Sequence, residues 1–274
     1  MSTKLNPRNI GGILGETFRI YGRNFSELLA ITAIVLGVLG IIQIIADFGP
    51  LPVAITGGEI GALTGWITAG SIILLVANIL GGILVIGALI HAVSQQYLRQ
   101  RISIGQAYGF AWRRLLDMLG AGILVFLAIG GIILVSVIMA LFLPAGWILL
   151  VVGTCAVIYL MIRWIFFLPA ALLENLGPTA ALSRSRGLVK KNWWRVLGIT
   201  LVVGLISGAI ILILGRIPVV GALFGSILVT PIFTIAGTLL YYDLRVRKEG
   251  YSLEVLASEL NIKIYSGVTQ DSED

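Results

Sequence analysis

Apolar residues run along this chain in six long blocks, about 28–46, 68–92, 118–142, 146–168, 196–215 and 219–241, with polar residues gathered between them. Each block approaches or exceeds the roughly 20 apolar residues that a helix needs to cross the hydrocarbon layer of a bilayer. The pattern predicts an all-α, polytopic membrane protein with six transmembrane helices. Blocks three and four are separated only by a short turn around Pro144, and blocks five and six only by Arg216 to Pro218. Both pairs are therefore predicted to form tight hairpins, since proline lacks the amide donor that would continue a helix.

The polar segments carry a second, shorter pattern. Gly15 to Leu29 aligns with Gly105 to Leu119, and Thr179 to Leu197 gives a looser third copy through Lys191 to Arg195. Wound as helices, all three are amphipathic. Ile10, Leu14, Phe18, Tyr21 and Phe25 oppose Glu16, Arg19 and Arg23 in the first. In the second, Ile104, Tyr108, Ala111, Trp112, Leu115 and Leu119 oppose Gln106, Arg113 and Asp117. In the third, Leu182, Val189, Trp193 and Val196 oppose Arg184, Lys191 and Arg195. Helices of this kind lie in the headgroup layer, and self-similarity marks a repeated structural unit. The expected organisation is three repeats of an amphipathic interfacial helix plus a transmembrane hairpin, about 8–92, 102–168 and 178–241. They make up a six-helix membrane domain over 1–248, followed by a cytoplasmic tail at 249–274 that is partly disordered beyond a short helix from Leu253 to Leu260. Ser, Thr and Pro residues before each stretch resemble separate helix starts; the alternative is that each stretch is the inner end of a long, tilted span.

Composition agrees with the blocks. The chain is 58% apolar and 12% charged, with a mean hydropathy of +1.03, whereas a soluble domain carries about a quarter charged residues. Its 34 glycines suit close packing of helices in lipid. Of 19 Lys and Arg, all but Arg163 and Arg216 fall in the N-terminal segment, the 93–117 and 171–195 connections and the tail. Positive residues stay on the cytoplasmic side, so both termini are expected there. The first 27 residues are polar and amphipathic, and no cleavage pattern follows the first apolar run, so no cleavable signal peptide is expected.

Little in the chain points to catalysis. There is one histidine, His91, and one cysteine, Cys155, so neither a site needing two imidazoles nor an internal disulfide can form. Phosphate-loop, zinc-helix and nucleophile-elbow motifs are missing. No cofactor and no metal site are expected, and the chain is read as not an enzyme. Asn78, in the second span, is expected to hydrogen-bond between helices, and Cys155 to be a small buried hydrophobe. His91 reads as an interfacial residue. Gly221 and Gly225 offer close packing in the sixth span.

The candidate binding residues are Arg163, Glu174, Arg184, Lys190, Lys191, Trp193, Trp194 and Arg195. Arg163 is the one basic residue inside a span, where it either serves structure and snorkels to the inner headgroups or contacts a lipid phosphate or partner. Glu174, just beyond Pro169, is the nearest acid in sequence and could return to pair with it. The run from Arg184 to Arg195 mixes cations with Trp193 and Trp194. Beside a bilayer, such a run points to anionic phospholipid, with about 1 kcal/mol of attraction per cation, and not to nucleic acid.

Arg163, Pro169, Glu174, the run Ala181 to Ser185, Leu188 and the run Asn192 to Gly198, together with the exit Tyr241 to Gly250, resemble the membrane-domain family of glycerophosphoryl diester phosphodiesterase. The likeness extends over nearly the whole chain and is most specific between Arg163 and Gly250. It implies a stand-alone membrane domain, without a catalytic barrel, in a prokaryotic plasma membrane. The function expected is a non-catalytic integral membrane module whose basic cytoplasmic face contacts anionic lipid or a membrane protein partner. The alternatives are an accessory or assembly subunit of a larger membrane complex, or a small-molecule or lipid transporter.

Overall fold

A computed structural model of the chain describes residues 9–48, 69–98, 100–142, 146–250 and 253–260. The described residues with regular structure are helical. In chain order they form α1 (Ile10–Arg23), α2 (Phe25–Thr32), a π-helical turn (Ala33–Gly37), α3 (Val38–Phe48), α4 (Ala69–Tyr97), α5 (Ile104–Arg113) and α6 (Leu115–Phe142). There follow α7 (Gly146–Trp164), α8 (Phe167–Leu173), α9 (Pro178–Val189), α10 (Trp193–Leu214), α11 (Gly221–Glu249) and α12 (Leu253–Glu259). Most of the 47–67 connection, the turn at 143–145 and the tail beyond 260 lie outside the described residues.

Six segments are long and apolar enough to span a membrane: Phe25–Ala46, Ile72–Tyr97, Leu115–Phe142, Gly146–Leu173, Trp193–Leu214 and Gly221–Glu249. They coincide with the six apolar blocks, because the length of an uninterrupted apolar run is itself the signal. The three amphipathic stretches are helices separate from the spans that follow them. Asn9 starts α1 by accepting the Gly12 amide at 2.7 Å, and α1 stops at Asn24, whose side chain donates to the Ile20 carbonyl at 3.0 Å. Pro178 starts α9, its missing N–H costing nothing in a first turn. Lys191 turns the chain within the α9–α10 junction, with a φ of 74°.

Leu182 and Val189 of α9 are buried as expected, whereas the buried faces of α1 and α5 differ in part from the expected ones. On α1, Ile13, Thr17 and Ile20 are buried while Ile10 and Phe18 are exposed, as is Phe25 at the start of α2. On α5, Ala107 and Ala111 are buried and Trp112 is exposed. In both α1 and α5 small or branched residues face the bundle, and large apolar and aromatic side chains lie outside.

α11 is the centre of the bundle, packed by α1, α2, α4, α9 and α10. Pro231 inside it has no N–H for the Ile227 carbonyl. That oxygen lies 3.2 Å from the buried Thr32 hydroxyl, and the Leu228 carbonyl accepts from the Tyr21 hydroxyl at 3.2 Å. Near the π turn, the Tyr108 hydroxyl donates to the Ile31 carbonyl. A backbone carbonyl away from water needs a partner, and here side chains of α1, α2 and α5 supply it, fixing the first helices to the last. Both hairpins close on glycine. A Cβ at Gly146 would lie 2.3 Å from the Ala140 backbone, and one at Gly221 would lie 1.9 Å from the Leu214 carbonyl oxygen.

Candidate functional site

At the end of the bundle where α2, α6 and α10 begin, charges from four elements converge. Glu174 follows α8. Asn175 (φ 53°) and the Gly177–Pro178 turn reverse the chain, so that α9 brings Arg184 back to it. Arg184 Nε donates to both Glu174 oxygens, at 2.9 and 2.7 Å. Its two terminal nitrogens donate to the Glu249 carboxylate, one of them at 2.7 Å. Glu249 holds the Arg184 guanidinium above its ordinary pKa, and Glu174 adds to this against the opposing effect of burial.

Arg245 lies beneath this pair, 5% exposed, its guanidinium 5.6 Å from the centre of the Tyr241 ring. It meets Glu174 at 3.6 Å and Glu249 at 3.4 Å, and donates twice to Glu259 of α12, at 3.0 and 2.8 Å. The Tyr241 hydroxyl donates to Glu174. A second group centres on Asp243, which accepts from Arg195 and Arg247 at 2.9 Å each. Lys248 donates to the Gly187 and Lys190 carbonyls at 2.6 Å, capping the end of α9. Bidentate arginine–carboxylate pairs are geometrically demanding and strong, so this end is cross-linked from α8 through α9 and α11 to α12.

The arrangement divides the residues expected to act together. Glu174 is joined to Arg184, Tyr241 and Arg245, and does not return to pair with Arg163. Arg184 and Arg195 are engaged in ion pairs inside the protein. Lys190 and Lys191 are exposed, as are Arg186 and Trp194, and none of these three cations is in an ion pair among the described residues. Trp193 is half-buried against Tyr159 of α7, ring centres 6.0 Å apart. Arg163 does not extend toward the converging charges. Its guanidinium lies 5.5 Å from the Tyr159 ring centre and donates to that tyrosine's hydroxyl at 2.9 Å.

Other expectations are corrected by position. Cys155 is exposed on α7, not buried. Asn78 is exposed and donates to the Leu74 carbonyl of its own helix at 2.8 Å, not to a neighbouring helix. His91 is buried and lies 4.5 Å from the Phe110 ring, so it belongs to the core. The sequence reading did not single out Tyr241, Asp243, Arg245, Glu249 or Glu259 as site residues. Their signal was the dense alternation of acid and base from Asp243 to Glu249, which at the end of an apolar helix marks paired side chains. Among the described residues no group of His, Cys, Asp and Glu is placed to hold a metal ion.

A cavity of about 120 Å³ opens between α4, the α7–α8 junction, α10 and α11. Ile86, Phe166, Pro169, Val203 and Gly237 are among its walls, with Thr200, Thr234 and Thr238 as the polar ones. The Thr234 and Thr238 hydroxyls donate to carbonyls of their own helix at 2.8 Å, which leaves an apolar lining.

No curated protein and no solved structure matches the chain. A family match covers residues 134–253, from the second half of α6 into the start of α12, and so is narrower than the near-complete likeness expected from the sequence. Over that segment, which contains the ion-paired end apart from Glu259 and the cavity walls at the α7–α8 junction and on α8, α10 and α11, the chain matches the family of the membrane domain of glycerophosphoryl diester phosphodiesterase.

Proposed function

We propose that this integral membrane module is non-catalytic and contacts anionic lipid through the exposed cations at the α9–α10 junction. Arg186, Lys190 and Lys191 carry the reading: all three are exposed, next to an exposed Trp194, while their neighbours Arg184 and Arg195 are held by acids. Cations without a protein counter-charge, beside an aromatic residue that favours the headgroup layer, suit an anionic bilayer surface. The concentration of Lys and Arg at this end supports placing it, with both termini, on the cytoplasmic side of a prokaryotic plasma membrane. Three separate helices, each preceding a pair of spans, support the threefold repeat as the organising unit.

The test is R186Q/K190Q/K191Q, measured by flotation with phosphatidylglycerol vesicles against phosphatidylcholine vesicles of the same size. Protein in mild detergent is expected to lose at least tenfold in association with the anionic vesicles and nothing with the neutral ones. Equal association of the variant and the parent with anionic vesicles would remove the proposal. A transporter of polar solutes is less well supported, because the cavity lining is apolar.

A further inference from the structure

The side chains around Arg163 are rich in hydrogen-bond donors and poor in acceptors. The guanidinium has five N–H groups, one of which meets Tyr159, and no ion pair joins it to a carboxylate among the described residues. The indole N–H group of Trp193, packed on Tyr159, is buried and finds no acceptor among the described residues. A cation carried on a membrane span calls for a counter-charge. Here the cluster lacks a charged acceptor, and one with several oxygens would fit it.

The apolar cavity is lined from the same two segments of chain. Ile165 and Phe166, which line it, follow Arg163 by two and three residues, and Thr200 lies on the Trp193 face of α10, seven residues on. A cavity of this size with an apolar lining stays dry and takes hydrocarbon. We propose that one phospholipid binds in this cleft, its phosphodiester oxygens on Arg163 and one acyl chain in the cavity. The proposal rests on the reading of the chain as a lipid-contacting module, but it uses none of Arg186, Lys190 and Lys191.

The test is native mass spectrometry of the full chain in mild detergent, titrated with phosphatidylglycerol. The parent is expected to retain one lipid. R163Q removes one hydrogen bond and the contact with the Tyr159 ring, and should weaken that retention at least tenfold. G237L should do the same from the other end: a Cβ at Gly237 meets nothing within 4 Å, so the new side chain enters the cavity without striking the backbone. Melting temperatures serve as the folding control. R186Q/K190Q/K191Q should keep the single lipid even as it loses vesicle association, which separates the two proposals. Retention unchanged in both R163Q and G237L overturns this one, whatever the vesicles show. Displacement of the lipid by an equal concentration of inorganic phosphate overturns the acyl-chain half, since the site would then recognise a free anion.

Discussion

The third and sixth spans have almost the same length, 28 and 29 residues, yet they occupy opposite situations. More than half of the most apolar stretch of Gly221–Glu249 is buried (56%), and none of that of Leu115–Phe142 is. The buried one is the less apolar, with a mean hydropathy of 1.9 against 3.0. In water this order would be reversed. In lipid the solvent is as apolar as leucine, so hydrophobicity marks the surface and the interior is chosen by shape and hydrogen bonding. α11 accordingly carries Ser226, Thr230, Thr234, Thr238 and Pro231, and its tyrosines Tyr241 and Tyr242 are fully buried. α6 and α7 pack mainly on each other, with Gly153 admitting Ser136, and join the bundle near their α8 and α9 ends.

The comparison is broken most severely at the charged end of α11. Glu174→Gln leaves Arg184 and the buried Arg245 without one carboxylate and weakens the acceptor for Tyr241. Removing one partner of a buried pair is expected to cost about 3–5 kcal/mol, because the remaining charge stays desolvated. The variant should melt far below the parent in detergent and lose protection from proteolysis around α12, which Arg245 holds through Glu259. An unchanged melting temperature would mean that this end is not what ties α8, α9 and α11 together.

Much of the scaffold was legible before any coordinates, and the reason is length. A span is a signal summed over some twenty residues, so the six blocks survive errors at any one of them, and their ends lie within about eight residues of the observed limits. Pairing is different, because it depends on single side chains brought together by turns. Glu174 and Arg163 are eleven positions apart and looked like partners. The reversal at Asn175 to Pro178 instead presents Glu174 to Arg184, and the packing of α11 adds Tyr241, 67 positions away. The basic run was visible as composition, but its division into paired Arg184 and Arg195 and exposed Lys190 and Lys191 depends on where α9 ends. Cys155 and Asn78 failed for a related reason. On a span the lipid-facing and bundle-facing sides are both apolar, so periodicity does not say which side a small polar residue faces.

An intermediate effect is expected inside the same helix, away from charge. Leu239→Ala removes a side chain that is 1% exposed, next to Tyr242 and Leu240 in the core of α11. Truncating a buried leucine costs about 2–5 kcal/mol, through lost contacts and the cavity left behind. The measurement is the midpoint of denaturation in one detergent, compared with the parent on the same day. A loss under about 1 kcal/mol would indicate that this part of α11 relaxes around the hole, and that the centre of the bundle is looser than its burial implies.

The smallest effect belongs to the same substitution in the third span. Leu127 is 62% exposed on α6, so Leu127→Ala leaves no cavity and alters only what the surrounding lipid or detergent touches. The expected change is within about 0.5 kcal/mol, the range of substitutions away from packed features. The pair Leu239→Ala and Leu127→Ala then measures, with identical chemistry, how far burial rather than hydropathy sets stability in this chain. Because α6 is the most apolar of the six spans, a scale based on transfer from water would rank the two changes as equal. A destabilisation of Leu127→Ala comparable to that of Leu239→Ala would show that the outer face of the α6–α7 hairpin is covered by protein in the assembled state, most directly by a second copy, and the stoichiometry of the purified chain would then have to exceed one.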